Sequence, residues 1–130
     1  ELIIIRRFLD NGWSIPTSNQ IKASDLECVD FVFIKNGKII KVEVKSTSAN
    51  TLKFTLLNRI TRKQYDFNFL IAYNDIKDMC FVIPIEAINK GCSIRFTTDV
   101  TKHERYRERF DICDLSKDQL TEYIKKPSVI

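Results

Sequence analysis

The stretch VDFVFIKNGKIIKVEVKS, Val29 to Ser46, decides how the rest of the chain is read. Asn-Gly between two apolar runs is the strongest short-range signal for a hairpin closed by a two-residue type I′ turn. Centred on Asn36-Gly37, that turn sets Lys35 opposite Lys38 and, counting outward, Asp30 opposite Glu43. One face of the hairpin is then Val29, Phe31 and Phe33 against Ile40, Val42 and Val44, an unbroken apolar surface that must be core. The other face carries Asp30, Glu43 and, by alternation, Lys45.

A hairpin folds without two acids facing each other, and like charges directly opposed across a strand pair destabilise it. Two carboxylates so placed have a chemical use. They suit Mg²⁺, a hard cation that keeps several waters and completes its shell with substrate phosphate oxygens. An ammonium beside them positions or helps deprotonate an attacking water and offsets charge on a phosphate under attack. Asp30, Glu43 and Lys45 therefore outline a phosphodiester-hydrolysing site. A bare Glu-x-Lys triplet is also what a solvated strand with salt-bridged neighbours looks like, so the cross-strand Asp30 is what separates the two readings. A bulge would move Asp30 to the other face.

Outward from the hairpin, Leu2 to Leu9 carries apolar residues at positions 2, 5 and 9, with others at 3, 4 and 8, followed by Asn11-Gly12. That is a helix with a glycine stop. Trp13 to Ile21, with Pro16, reads as a short extended piece and then a loop. Leu52 to Leu56 is ambiguous between strand and helix. Phe67–Tyr73 and Cys80–Pro84 form a second antiparallel pair around Asn74 to Asp78, giving a sheet of at least four strands, to which Ile94–Thr98 is a further candidate. Ser116-Lys117-Asp118-Gln119 fits a capping box opening a last helix that ends before Pro127.

The 130 residues, 44% hydrophobic and 29% charged, are read as one domain, residues 1–130. No apolar run reaches eighteen residues, so neither a membrane span nor a signal peptide is expected, and an intracellular protein is. Cys28, Cys80, Cys92 and Cys113 are scattered and His103 is the one histidine, a poor pattern for zinc; reduced, buried thiols are expected. A net charge of +4 permits a nucleic-acid partner without requiring one.

Asp30 followed by Glu43-Val44-Lys45 resembles the PD-(D/E)XK nuclease superfamily, with Val29 in place of the proline before the acid. The resemblance implies an α/β (α+β) fold, a restriction-endonuclease-like αβββαβ core whose central mixed sheet is flanked by helices. The helix Glu1–Asp10, the hairpin and the segment Arg59–Tyr65 stand in the matching order. Two branches look nearest. Archaeal Holliday-junction resolvases share an ending like Glu43-Val44-Lys45-Ser46. Group I intron homing endonucleases resemble the chain in Phe67–Tyr73, Phe81–Pro84 and Tyr106–Phe110.

The resemblance implies a metal-dependent endodeoxyribonuclease using Mg²⁺, with Mn²⁺ able to substitute. Asp30, Glu43, Val44 and Glu1 would be its metal ligands, and Asp30, Glu43, Lys45 and Gln64 its catalytic set. Double-stranded or branched DNA is the expected partner, held by Lys53, Arg59, Arg62, Lys63, Arg105 and Arg107 through phosphate contacts. A dimer or tetramer is expected, since one site cuts one strand. The alternative is a non-catalytic nucleic-acid-binding or assembly module on the same fold.

Overall fold

The computed structural model describes residues 2–22, 29–48, 51–53, 67–87, 93–95 and 104–125, the segments 51–53 and 93–95 by backbone alone. In chain order the regular elements are α1 (Leu2–Asp10), β1 (Phe31–Lys35), β2 (Lys38–Thr47), β3 (Thr51–Lys53), β4 (Phe69–Asn74), β5 (Met79–Pro84), β6 (Ser93–Arg95) and α2 (Lys117–Lys125).

Asn36 and Gly37 have φ of 51° and 81°, both left-handed as a type I′ turn requires. The hairpin register follows from it: Lys35 pairs with Lys38, Phe33 with Ile40 and Phe31 with Val42. β2 then runs parallel to β4, Val42 beside Phe69 and Lys45 beside Ala72, and β4 pairs antiparallel with β5. The sheet order is β1-β2-β4-β5, a mixed four-stranded sheet. A parallel pair needs a crossover of a dozen residues or more, and residues 48–68 supply the length. β3 pairs with β6 in a separate two-stranded sheet, so the strand expected at Ile94 does not extend the main one.

The hairpin face read as core is core. Phe33, Ile40 and Val42 are buried, continuing into Phe69, Ile71 and Val82. α1 lies on that face, Phe8 stacked on Phe33 with ring centroids 4.3 Å apart and edge-on to Phe110 at 5.1 Å. Full burial of such a side chain contributes about 2–3 kcal/mol. The stripe at positions 2, 5 and 9 is corrected: Ile4 and Phe8 are the buried residues, whereas Leu2 and Leu9 are exposed. The apolar side of this helix is broad, with Arg6, Arg7 and Asp10 grouped opposite it, so packing against the sheet decides which of its residues are most buried. The glycine stop closes the helix through a Schellman pair in which the Gly12 amide donates to Leu9 O at 3.1 Å and the Trp13 amide to Phe8 O at 3.0 Å.

The capping box forms as read, the Ser116 amide donating to Gln119 Oε1 at 2.9 Å and the Gln119 amide to Ser116 Oγ at 3.2 Å. Cys80 and Cys113 are buried free thiols, and burial pushes Cys80 up to about 12. Cys28, Cys92 and His103 lie outside the described residues.

Arg7 ties α1 to two distant loops. Its guanidinium donates to Asp78 Oδ1 at 2.7 Å, to Glu108 Oε2 at 3.2 Å and to Cys80 Sγ at 2.7 Å, and lies 5.6 Å from the Tyr73 ring centroid. The Tyr73 hydroxyl, with Arg7 behind it, holds the Asp78 carboxyl below its ordinary 3.8. A lowered folded-state pKa adds stability that is present above the ordinary value and lost as pH falls through the folded one. Asp78→Asn is therefore expected to flatten the fall in melting temperature below pH ~4. Acid unfolding identical to wild type would contradict that linkage.

Candidate functional site

β2 is an interior strand of the sheet, with β1 on one side and β4 on the other. Glu43 and Lys45 are on the face opposite α1, together with Val32 of β1 and, by register, Leu70 and Ala72 of β4. That face is also buried, with Leu70 and Ala72 inaccessible and Glu43 only 6% exposed. The sequence reading that assigned core to the other face alone is corrected in this respect. A carboxylate so enclosed is costly unless it is hydrogen-bonded, paired or bound to a cation. Glu43 and Lys45 both have interaction partners in the structure.

The ladder stops at Phe31↔Val42, one pair before Asp30. Asp30 does not stand as a straight cross-strand partner of Glu43. Its amide donates to Val42 O at 3.2 Å, and its carboxylate Oδ2 accepts the Val44 amide at 2.8 Å. In a continued ladder the Val44 amide would donate to the carbonyl of Val29; the Asp30 side chain has taken that place. The physical reason is the repulsion of opposed acids: turned into the sheet plane, the carboxylate gains a hydrogen bond to a backbone N–H. Asp30 is thus bonded to both sequence neighbours of Glu43, and its Oδ1 has no hydrogen-bond partner among the described residues.

Beside Asp30 opens a largely apolar cavity of about 300 Å³, lined by Ile5, Ile15, Pro16, Ile21 and Phe31 among others. It runs along the outer edge of β1, where Ser14 bridges to Ile34 by two 2.8 Å hydrogen bonds and Pro16 has no amide with which to continue. Asp30 itself is exposed at the rim of this cavity. No sequence signal pointed to it.

The donor set is oxygen only, two carboxylates with the Val44 backbone between them. Among the described residues no three His, Cys, Asp or Glu side chains gather as a metal-binding group. Two carboxylates, of which Asp30 keeps Oδ1 clear of hydrogen bonds among the described residues, suit Mg²⁺ or Mn²⁺, which are held by one or two carboxylates plus water and phosphate, and do not suit a closed four-ligand zinc site.

Of the remaining sequence-derived site residues, Glu1, Arg59, Arg62, Lys63 and Gln64 lie outside the described residues, and of Lys53 only the backbone, at the end of β3, is described. Arg105 donates to the carbonyls of Tyr123 at 3.3 Å and Ile124 at 2.9 Å, closing the last turn of α2. That use of a guanidinium is structural. Arg107 is half exposed and pairs with Glu104 at 3.2 Å. The capping role of Arg105 joins residues 18 or 19 positions apart and has no local signature.

No protein-family model matches the chain, and no curated protein matches it in sequence. In three dimensions the chain is similar to a bacterial homing endonuclease, I-Ssp6803I, with a TM-score of 0.53 and 20% identity over 92% of this chain and 84% of that one. At that identity the likeness concerns the fold alone, a mixed α/β architecture that the two chains share.

Proposed function

We propose that the chain is a Mg²⁺-dependent DNA endonuclease of the PD-(D/E)XK type, with Asp30 and Glu43 as metal ligands and Lys45 as the third catalytic residue. The observation that carries the reading is Asp30, hydrogen-bonded to both neighbours of Glu43 on a sheet shared with a homing endonuclease. A structural strand has no need of an acid that replaces a ladder carbonyl beside a buried glutamate.

In this reading Asp30, Glu43 and the Val44 backbone would hold the ion, with Glu1 as a further ligand. When bound, Mg²⁺ supplies Lewis acidity toward a phosphoryl oxygen of the substrate. The Val44 amide fixes the orientation of Asp30, so the ligand is preorganised rather than recruited. Lys45, two residues beyond Glu43 on the same face, orients the attacking water and offsets the charge that builds on the phosphate. Gln64 contacts that water or the DNA.

The likeness to I-Ssp6803I favours a homing-type activity on double-stranded DNA. Junction resolution is the second reading, favoured by Glu43-Val44-Lys45-Ser46. One site cuts one strand, so a double-strand cut calls for a homodimer or tetramer.

Two experiments test the reading. Supercoiled plasmid and a synthetic four-way junction are incubated with Mg²⁺, with EDTA and with Glu43→Gln. Cutting that needs the metal and falls at least ~100-fold in the variant is expected; EDTA-resistant cutting, or full activity in Glu43→Gln, refutes the site. Asp30→Asn and Asp30→Ala separate the two jobs of that side chain. Both are expected to weaken Mn²⁺ binding in calorimetry by at least ~10-fold. Asp30→Ala alone is expected to lose about 1 kcal/mol of stability, because an asparagine oxygen still accepts the Val44 amide. Undiminished Mn²⁺ affinity in both would remove Asp30 from the ligand set.

A further inference from the structure

Building on the endonuclease reading, we infer that the turn between β4 and β5, residues 75–78, is a second contact with duplex DNA, in which Lys77 meets a backbone phosphate and Ile76 presses on a groove.

The first argument is position. β2 and β4 are the parallel pair of the sheet, and the crevice beyond the carboxyl ends of parallel strands is where such sheets take their ligands. Both carboxyl ends meet at this turn. Thr47 pairs with Asn74, and the Asp75 amide donates to the Thr47 carbonyl at 3.1 Å. At a strand rise of about 3.4 Å per residue, Thr47 lies roughly 10 Å along β2 from Val44. One strand of duplex DNA advances about 3.4 Å per phosphate along the helix axis, so a backbone laid along β2 and reacting at Asp30 and Glu43 meets the turn about three nucleotides away.

The second argument is composition and exposure. Ile76 is 74% exposed, although the turn is short and its neighbours on both strands are buried. Lys77 beside it is exposed and is the cation of the turn. An ammonium meets phosphate as a point charge, and an apolar side chain flanked by a cation is the pairing that groove-binding proteins press against base steps.

The third argument is rigidity. The side chain of buried Asn74 accepts the amides of Ile76 at 3.1 Å and Lys77 at 3.0 Å. Ser48 Oγ donates to Asp75 Oδ1 at 2.7 Å. Asp78, at a left-handed φ of 49°, is held by Tyr73 and Arg7. Five hydrogen bonds thus hold a four-residue turn whose tip side chains face solvent, and a surface ordered in advance loses less entropy on binding. Both acids of the turn face protein partners, Asp75 toward Ser48 and Asp78 toward Arg7, which reduces the repulsion a phosphate meets.

The test is binding of a random-sequence duplex in EDTA, followed by fluorescence anisotropy across a salt series. The proteins are wild type, Lys77→Gln, Ile76→Ser and Lys117→Gln, the last at the hairpin-turn end of the sheet beside Lys38 and Asn68. Plasmid cleavage by the wild type is measured in parallel. Lys77→Gln is expected to bind about 3- to 10-fold more weakly, with a log affinity against log salt slope shallower by about 1. Ile76→Ser is expected to bind about 3- to 10-fold more weakly with an unchanged slope, since it removes no phosphate contact. Lys117→Gln is expected to match wild type, and all four to melt together. If the wild type binds and cuts while Lys77→Gln and Ile76→Ser keep its affinity and slope, the turn is not a contact and the endonuclease reading stands. If the wild type neither binds nor cuts, the endonuclease reading falls and this inference with it.

Discussion

The register of the β1–β2 hairpin is the constraint on which the site and much of the fold rest. A left-handed Asn36 and Gly37 leave one way of pairing the strands, and a slip of one residue would turn Phe33, Ile40 and Val42 out of the core. With β2 fixed, its parallel neighbour β4 is placed beside it. The residue that follows Val42 is then held on the opposite face, whatever its charge. Glu43 is a buried acid because two apolar neighbours leave it no alternative.

The cost of that arrangement is visible at Asp30. Kept in register, it would oppose Glu43 with like charge, and instead the ladder ends one pair early and the carboxylate takes a backbone amide. Local regularity gives way at one place, and that place carries both acids. Departures of this kind gather where a protein keeps groups for binding rather than for folding. The same strand then continues through Lys45 to Thr47, where it anchors the β4–β5 turn. Candidate chemistry and candidate DNA contact are thus strung along one strand, at spacings set by its rise per residue.

Much of this was legible in the sequence where the cause is local. Asn36-Gly37 announces its turn, Ser116 and Gln119 announce their cap, and Gly12 announces the end of α1, because each acts within a few residues of itself. Alternation along β2 puts Glu43 and Lys45 on one face as read, whereas Asp30 stands just before β1 and out of the ladder. The exact phase of α1 was not legible, since its apolar side is broad and contacts with Phe33 and Phe110 select Phe8 within it. Nor were the ends to which arginines are put. Arg7 reaches partners 71, 73 and 101 positions away, and Arg105 donates to carbonyls at the end of α2. The in-plane turn of Asp30 belongs to the same class, because alternation fixes where a Cα lies and not how a side chain resolves a repulsion.

The central claim is that Asp30 and Glu43 share one divalent cation. Crystals grown with Mn²⁺ and measured at the manganese absorption edge test it most directly. The account predicts an anomalous peak within about 2.0–2.4 Å of an oxygen from each carboxylate, absent from crystals of Asp30→Asn. A protein that cuts DNA with Mn²⁺ yet shows its only ordered manganese away from both residues would contradict it.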